Sequence, residues 1–168
     1  MEIKELLFEL SRKDNVGSIR EASDFAAEQL SKYMEVETFD NLTVIGKIKG
    51  ESDYTVMLDA HIDQIAMVVT NIDDNGFLTV ANAGGIDIRS LPSRTVCVHG
   101  KRKISAVFCS TPPHLSSGET EYTDISKIKL DTCLGAKAKE IVSLGDFVTF
   151  SASPTSLSST KVSGRSFD

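Results

Sequence analysis

No apolar run in this sequence approaches the ~20 residues that a membrane-spanning helix requires; stretches such as Ala66 to Val69 end after a few positions. The N-terminal MEIKELLFELSRKD lacks the basic start, unbroken apolar stretch and small-residue cleavage site of a secretory leader. Cysteine is scarce. Cys97, Cys109 and Cys133 are odd in number, widely spaced and without a CxxC pair, so neither a disulfide framework nor a zinc ribbon is indicated. These absences point to a reducing cytoplasm and to no membrane partner. Positive charge is also in deficit, with a formal net charge of −6, and the one basic cluster, Lys101-Arg102-Lys103, follows Gly100 in an expected hairpin turn. Nucleic acid, whose phosphates call for clustered Lys and Arg, is disfavoured as a partner.

What is present is the patterning of a soluble globular chain, long enough at 168 residues for one ordinary core or two small units. Ile3, Leu6, Leu7 and Leu10 recur at helical spacing and predict a short amphipathic helix over residues 2–13. Ser18 and Glu21 have the spacing of a capping box, in which each side chain satisfies the other's backbone amide. The apolar face of Ile19, Ala22, Phe25, Ala26 and Leu30 then predicts a helix to about Met34. The period next changes to that of strands, at Val36–Phe39, Leu42–Lys49 and Tyr54–Ala60. Val56-Met57-Leu58 makes the last of these read as a strand covered on both faces. From Ala66 onward short strands are expected at Met67–Ile72, Phe77–Ala81, Thr95–His99, Ile104–Ser110 and Phe147–Phe150. Asp74-Asn75-Gly76, Gly84-Gly85 and Pro112-Pro113 punctuate them, and one helix falls near Ala136–Ser143. This texture predicts a small barrel or sandwich. Ser151 to Thr160 reads as a connection, so the pattern is a β unit inserted into an α/β layer structure.

His61-Ile62-Asp63 directly follows the most apolar strand, and in open α/β sheets ligands bind beyond the carboxyl ends of strands. A neutral imidazole is a good zinc ligand, and a nearby carboxylate can fix its tautomer and raise its basicity. On its own, H-x-D reads as a polar strand end before it reads as a metal site. Its neighbours narrow the choice: the stretch Met57 to Ala66 resembles the metal-binding strand of the tetrahedral-type glutamyl aminopeptidase family of binuclear-metal aminopeptidases. Further segments resemble that family in order: Asn71 to Leu78, Gly84 to Asp87, Pro112 to Leu115, Leu144 to Val148 and Gly164-Arg165-Ser166-Phe167-Asp168.

The resemblance implies a partial zinc-aminopeptidase-like α/β/α catalytic domain carrying an inserted small β-barrel. Residues 1–65 would begin the catalytic domain, 66–158 would form the barrel and 159–168 would return to the catalytic domain. It implies that His61 is a ligand of one metal, that Asp168 bridges two divalent ions, and that Asp63 orients the imidazole as a catalytic residue. The ions implied are zinc, with cobalt or manganese as alternatives. It implies a peptide substrate and a homo-oligomer, from dimer to dodecamer, built through the barrel, whose exposed strand edges would be contact sites. The family also requires a glutamate pair, a further acidic ligand and a C-terminal histidine after the bridging aspartate. No residue follows Asp168, so this polypeptide alone is expected to be an inactive peptidase. Gln64 and Ala66 stand where the family often has Glu and Gly.

Two other readings are a non-catalytic fragment or assembly module, and a glycan hydrolase. The latter would need a carboxylic acid pair that is not identifiable here. His99 and His114 read as loop residues of the β unit, Asp73 and Asp74 as turn formers, and the cysteines as small buried hydrophobes. Intact-protein mass spectrometry is expected to separate a self-contained chain from a partial one: a mass near 18.2 kDa means that it ends at Asp168, and a larger mass means that the chain is longer and that its zinc or cobalt content is to be measured next.

Overall fold

Helix α1 (Ile3–Arg12) follows from the first apolar stripe, with Glu2 and Glu5 forming its capping box. The stripe is only partly covered, since Ile3 and Leu7 remain exposed and Ser11 is the helix's buried residue. The computed structural model describes residues 2–110, 114, 124–151 and 153–165, in two units: Met1–Gln64 with Ser153–Asp168, and Ile65–Ala152. The fold is mixed α/β. No helix among the described residues is long and apolar enough to cross a membrane.

In the first unit a tight hairpin joins β1 (Asn15–Val16) and β2 (Ile19–Arg20) around Gly17, whose φ of 57° suits a residue without Cβ. Helix α2 (Glu21–Leu30) begins only after this hairpin. The expected Ser18–Glu21 capping box is therefore replaced: the Glu21 carboxylate accepts the backbone N–H of Asp14 at 3.1 Å, because β2 occupies the residues that the box needed. Strands β3 (Glu35–Thr38) and β4 (Val44–Lys47) pair antiparallel where alternation placed them.

The strand expected at Tyr54–Ala60 is not formed. These residues join no sheet, and Tyr54, Val56, Met57 and Leu58 are 82–95% exposed. Apolarity marks a segment that can be buried between layers, but a strand also needs neighbours to bond its N–H and C=O groups. None of the described residues supplies them. Past the barrel, β11 (Thr155–Ser156), inside the stretch expected to be a plain connection, pairs with β12 (Val162–Ser163), just beyond it, as a small hairpin.

The second unit is a closed six-stranded antiparallel barrel. Its strands are β5 (Ala66–Ile72), β6 (Leu78–Ala83), β7 (Thr95–His99), β8 (Lys103–Phe108), β9 (Leu130–Asp131) and β10 (Phe147–Phe150), in the order β10-β5-β6-β9-β8-β7. β7 pairs back onto β10 through Val148↔Val98 and Phe150↔Val96, which completes the ring. Alternation puts Val96 and Val98 of β7 and Ile104, Ala106 and Phe108 of β8 into one core with Met67, Leu78, Leu130 and Val148. The register slips between Val69 and Asn71, a bulge at Thr70, whose hydroxyl donates to the Thr79 carbonyl at 3.2 Å. Closure leaves the ring without the free edges that were expected as assembly contacts, because every strand has two neighbours. β9, too short to show a period, was not foreseen. The expected helix near Ala136–Ser143 is a 3₁₀ turn, Gly135–Lys137, running into α3 (Ala138–Ile141).

The β5–β6 turn depends on Asp73, whose carboxylate accepts the N–H groups of Asn75 and Phe77, each at 3.0 Å. Gly76 there has φ +85°, and a Cβ would collide with the Gly135 carbonyl oxygen, whereas Gly85 faces open space. Gly76→Ala is expected to cost about 1–3 kcal/mol of barrel stability in urea denaturation, while Gly85→Ala stays within about 0.5 kcal/mol.

Candidate functional site

A buried polar cluster in the first unit fastens the segment that carries His61 and Asp63. Asn15, 1% exposed, starts it. Its Oδ1 accepts the Ser23 N–H at 3.1 Å and its Nδ2 donates to the Ser23 hydroxyl at 2.9 Å and to the Ile62 carbonyl at 3.4 Å. The Asn15 carbonyl accepts the Gln64 N–H at 3.1 Å, and the Ser23 hydroxyl donates to the Leu42 carbonyl at 2.7 Å. Residues 62–64 are thereby held beside β1 and the start of α2.

Asp14 is the charged member of the cluster and is buried with it. Its Oδ1 accepts from Gln64 Nε2 at 2.9 Å and from Arg165 Nη1 at 2.6 Å. The Asp14 and Arg165 side chains are only 6% and 13% exposed. Arg165 also donates from Nε to the Ser11 carbonyl at 2.8 Å, and the Ser11 hydroxyl donates to the Arg165 carbonyl at 2.8 Å. The return segment is in this way pinned to the end of α1.

His61 and Asp63 lie together and open to solvent, with side chains 65% and 68% exposed. His61 Nδ1 is 3.2 Å from the Asp63 backbone oxygen and 3.5 Å from its carboxylate. A carbonyl oxygen can only accept, so the shorter contact calls for a proton on Nδ1, and in the neutral ring that tautomer places the lone pair on Nε2. Both residues border a groove of about 590 Å³, whose walls include Gly17, Leu42, Leu58 and Asp59. Asp168 lies outside the described residues. Among those that are described, no three His, Cys, Asp or Glu side chains gather as a metal-ligand group. The donor chemistry here therefore fits one end of a metal site, an imidazole with one ring nitrogen already engaged.

The other titratable residues go elsewhere. His99 Nε2 contacts the Thr149 hydroxyl at 2.9 Å within the barrel, and His114 is exposed. Asp74 pairs with Lys139 at 2.8 Å, and that ammonium holds its carboxyl below the usual carboxylate range. Burial pushes the Cys109 thiol up, aided by the charge of Asp131, which suits a thiol and not a nucleophilic thiolate. Cys133, expected to be buried, is exposed because it occupies a turn with φ 58°. Asp14, Asn15 and Ser23 were missed from sequence. The Asp14-Asn15 pair directly after a helix has the look of an ordinary polar turn, and the available signal was that a capping residue such as Ser23 sat inside a helix.

The family described as M42 glutamyl aminopeptidase matches residues 43–168. Putative aminopeptidase FrvX of Escherichia coli (strain K12) is 28% identical over 172 residues, which cover 98% of this chain and 48% of that protein. Among solved structures, the TET aminopeptidase from the marine sediment archaeon Thaumarchaeota archaeon SCGC AB-539-E09 superposes with a TM-score of 0.83 at 21% identity, over 92% of this chain and 46% of that one. That likeness is one of fold. The Pyrococcus horikoshii TET1 peptidase, described as able to assemble into a tetrahedron or a large octahedral shell, matches with a TM-score of 0.80 at 25% identity, over 93% of this chain and 48% of that one. The chain thus spans about half the length of these relatives.

Replacing Asn15 by Ala removes the acceptor of the buried Ser23 N–H and the donor to Ile62. It is expected to lower stability by about 1–3 kcal/mol in chemical denaturation, and to speed amide exchange at residues 62–64.

Proposed function

The chain belongs to the M42 glutamyl aminopeptidase family, and from that premise we propose that the protein removes N-terminal residues from peptides by metal-assisted hydrolysis, with this chain supplying part of the active site. The observation that carries the reading is His61, whose Nδ1 is engaged by Asp63 at the rim of a groove. In this reading the unit of Met1–Gln64 with Ser153–Asp168 belongs to an α/β/α catalytic domain and the barrel of Ile65–Ala152 is its insertion, which begins one residue before the expected 66 and ends six residues before the expected 158.

His61 would hold one of two divalent ions through Nε2, and Asp168 would bridge both. Zinc is the ion proposed, with cobalt or manganese as substitutes, since nitrogen and oxygen donors accept several divalent metals. When bound, such ions polarise the scissile carbonyl and lower the pKa of a bound water toward ~7. Asp63 does the orienting. Its backbone oxygen and carboxylate keep the proton on Nδ1, so the imidazole presents Nε2 without having to choose a tautomer. The residues holding 62–64 against Asn15 limit how far the imidazole can swing, which lowers the cost of positioning it.

The barrel supports a second role. It has its own core, and its surface includes Leu144 at 66% exposure. We propose that copies of the protein associate through this unit, as a homo-oligomer of dimer to dodecamer size, by contacts of barrel faces and not of strand edges. The three cysteines have free thiols, consistent with the cytoplasm as the compartment.

In a protein that carries the remaining ligands as well, His61→Ala is expected to abolish release of leucyl or glutamyl anilides, a loss of at least about 100-fold, and to lower the bound zinc or cobalt measured by elemental analysis. Full activity in that variant would remove His61 from the metal site.

A further inference from the structure

Gln64 and Arg165 stand far apart in the chain, yet their side chains meet on the same carboxylate oxygen, Oδ1 of Asp14. Gln64 is three residues after His61, and Arg165 is three residues before Asp168. Three residues of chain reach at most ~11 Å. The two segments proposed to bring the metal ligands are thus each tied, one short step away, to one buried anion.

We propose that Asp14 is a positioning residue that brackets the metal site, holding the His61 segment and the segment leading to Asp168 at a fixed separation through Gln64 and Arg165. The inference rests on the metal reading of His61 and Asp168, and adds to it three residues that touch neither metal nor substrate. Its physical basis is the arrangement of donors. Arg165 supplies a charged, directional bond to Asp14 and a second bond to the Ser11 carbonyl, so its guanidinium plane is fixed at two points. Gln64 supplies a neutral donor to the same oxygen that takes the charged one from Arg165. Low exposure makes these bonds strong and their loss felt, because the carboxylate has little water to turn to. Asp14 itself is held from behind, since its N–H donates to Glu21 and its carbonyl accepts the Ala22 N–H at 3.3 Å. The bracket is therefore anchored at the start of α2 and does not float with the segments that it joins.

The test uses the protein with the remainder of its active site in place and Co²⁺ alone as probe, titrated against a chromophoric chelator well below the melting temperature. Amide exchange of the metal-free protein is measured alongside. Gln64→Met keeps the side chain's length and removes its amide, and with it the bond to Asp14. It is expected to weaken Co²⁺ binding by about tenfold. Asp14→Asn keeps the shape of the group and removes its charge, and is expected to weaken binding by up to about 100-fold. In the metal-free state Asp14→Asn should speed exchange at 61–64 and 163–165 together. If either variant lowers only the melting temperature and leaves Co²⁺ affinity at the wild-type value, the cluster is structural and the proposal is overturned. His61→Ala separates the two layers of inference. If it leaves Co²⁺ binding unchanged, the metal reading fails, and the bracket is then judged by exchange alone: joint loosening of both segments upholds it, and loosening of one without the other overturns it.

Discussion

In the unit that carries the candidate site, the short bond between the Arg165 guanidinium and the Asp14 carboxylate, at 2.6 Å and largely out of solvent, is the constraint on which the local geometry rests. A buried ion pair contributes little net stability, because desolvating both charges offsets most of their attraction. What it supplies is a definite arrangement. An unpaired Asp14 in the same place would be costly, so conformations that separate the two segments are strongly disfavoured. Asn15 and Ser23 extend the effect by saturating one another's donors and acceptors. The outcome is a polar cluster whose buried side-chain atoms, among the described residues, all have partners.

The barrel solves a different problem by different means. Its strands are short, β9 having two residues, and an open sheet of such strands would leave unpaired backbone at both sides. Pairing β7 to β10 removes those edges and lets Val96, Val98, Leu130 and Val148 meet in one apolar interior. The unit accordingly depends on burial of apolar surface, whereas the cluster around Asp14 is joined by directional polar bonds.

Legibility from sequence followed the same division. The barrel strands at Thr95–His99 and Phe147–Phe150 were read to the residue, because alternation of Val and Phe with polar positions has one simple solution. The Asp73 turn was equally plain. The first helix was legible from its stripe. The Ser18–Glu21 box was misread because a two-strand hairpin uses the same residues, and a four-residue signature cannot tell which competing partner will arrive. The Tyr54–Ala60 strand was misread because hydrophobicity records what a segment can bury and not whether neighbours are present to pair with it.

His61 and Asp63 could be proposed as a pair from their spacing, since two residues one apart are bound to lie near each other and the chemistry of an imidazole beside a carboxylate is local. That much the sequence by itself determined, together with the family and the strands of the barrel. Only the tertiary structure decided that Asp14, Gln64 and Arg165 converge. Their meeting joins positions 50 and 151 residues distant from Asp14, and contacts at such separations leave no periodic trace in a sequence. They arise from chain closure, in which burial of one carboxylate selects the donors that can reach it.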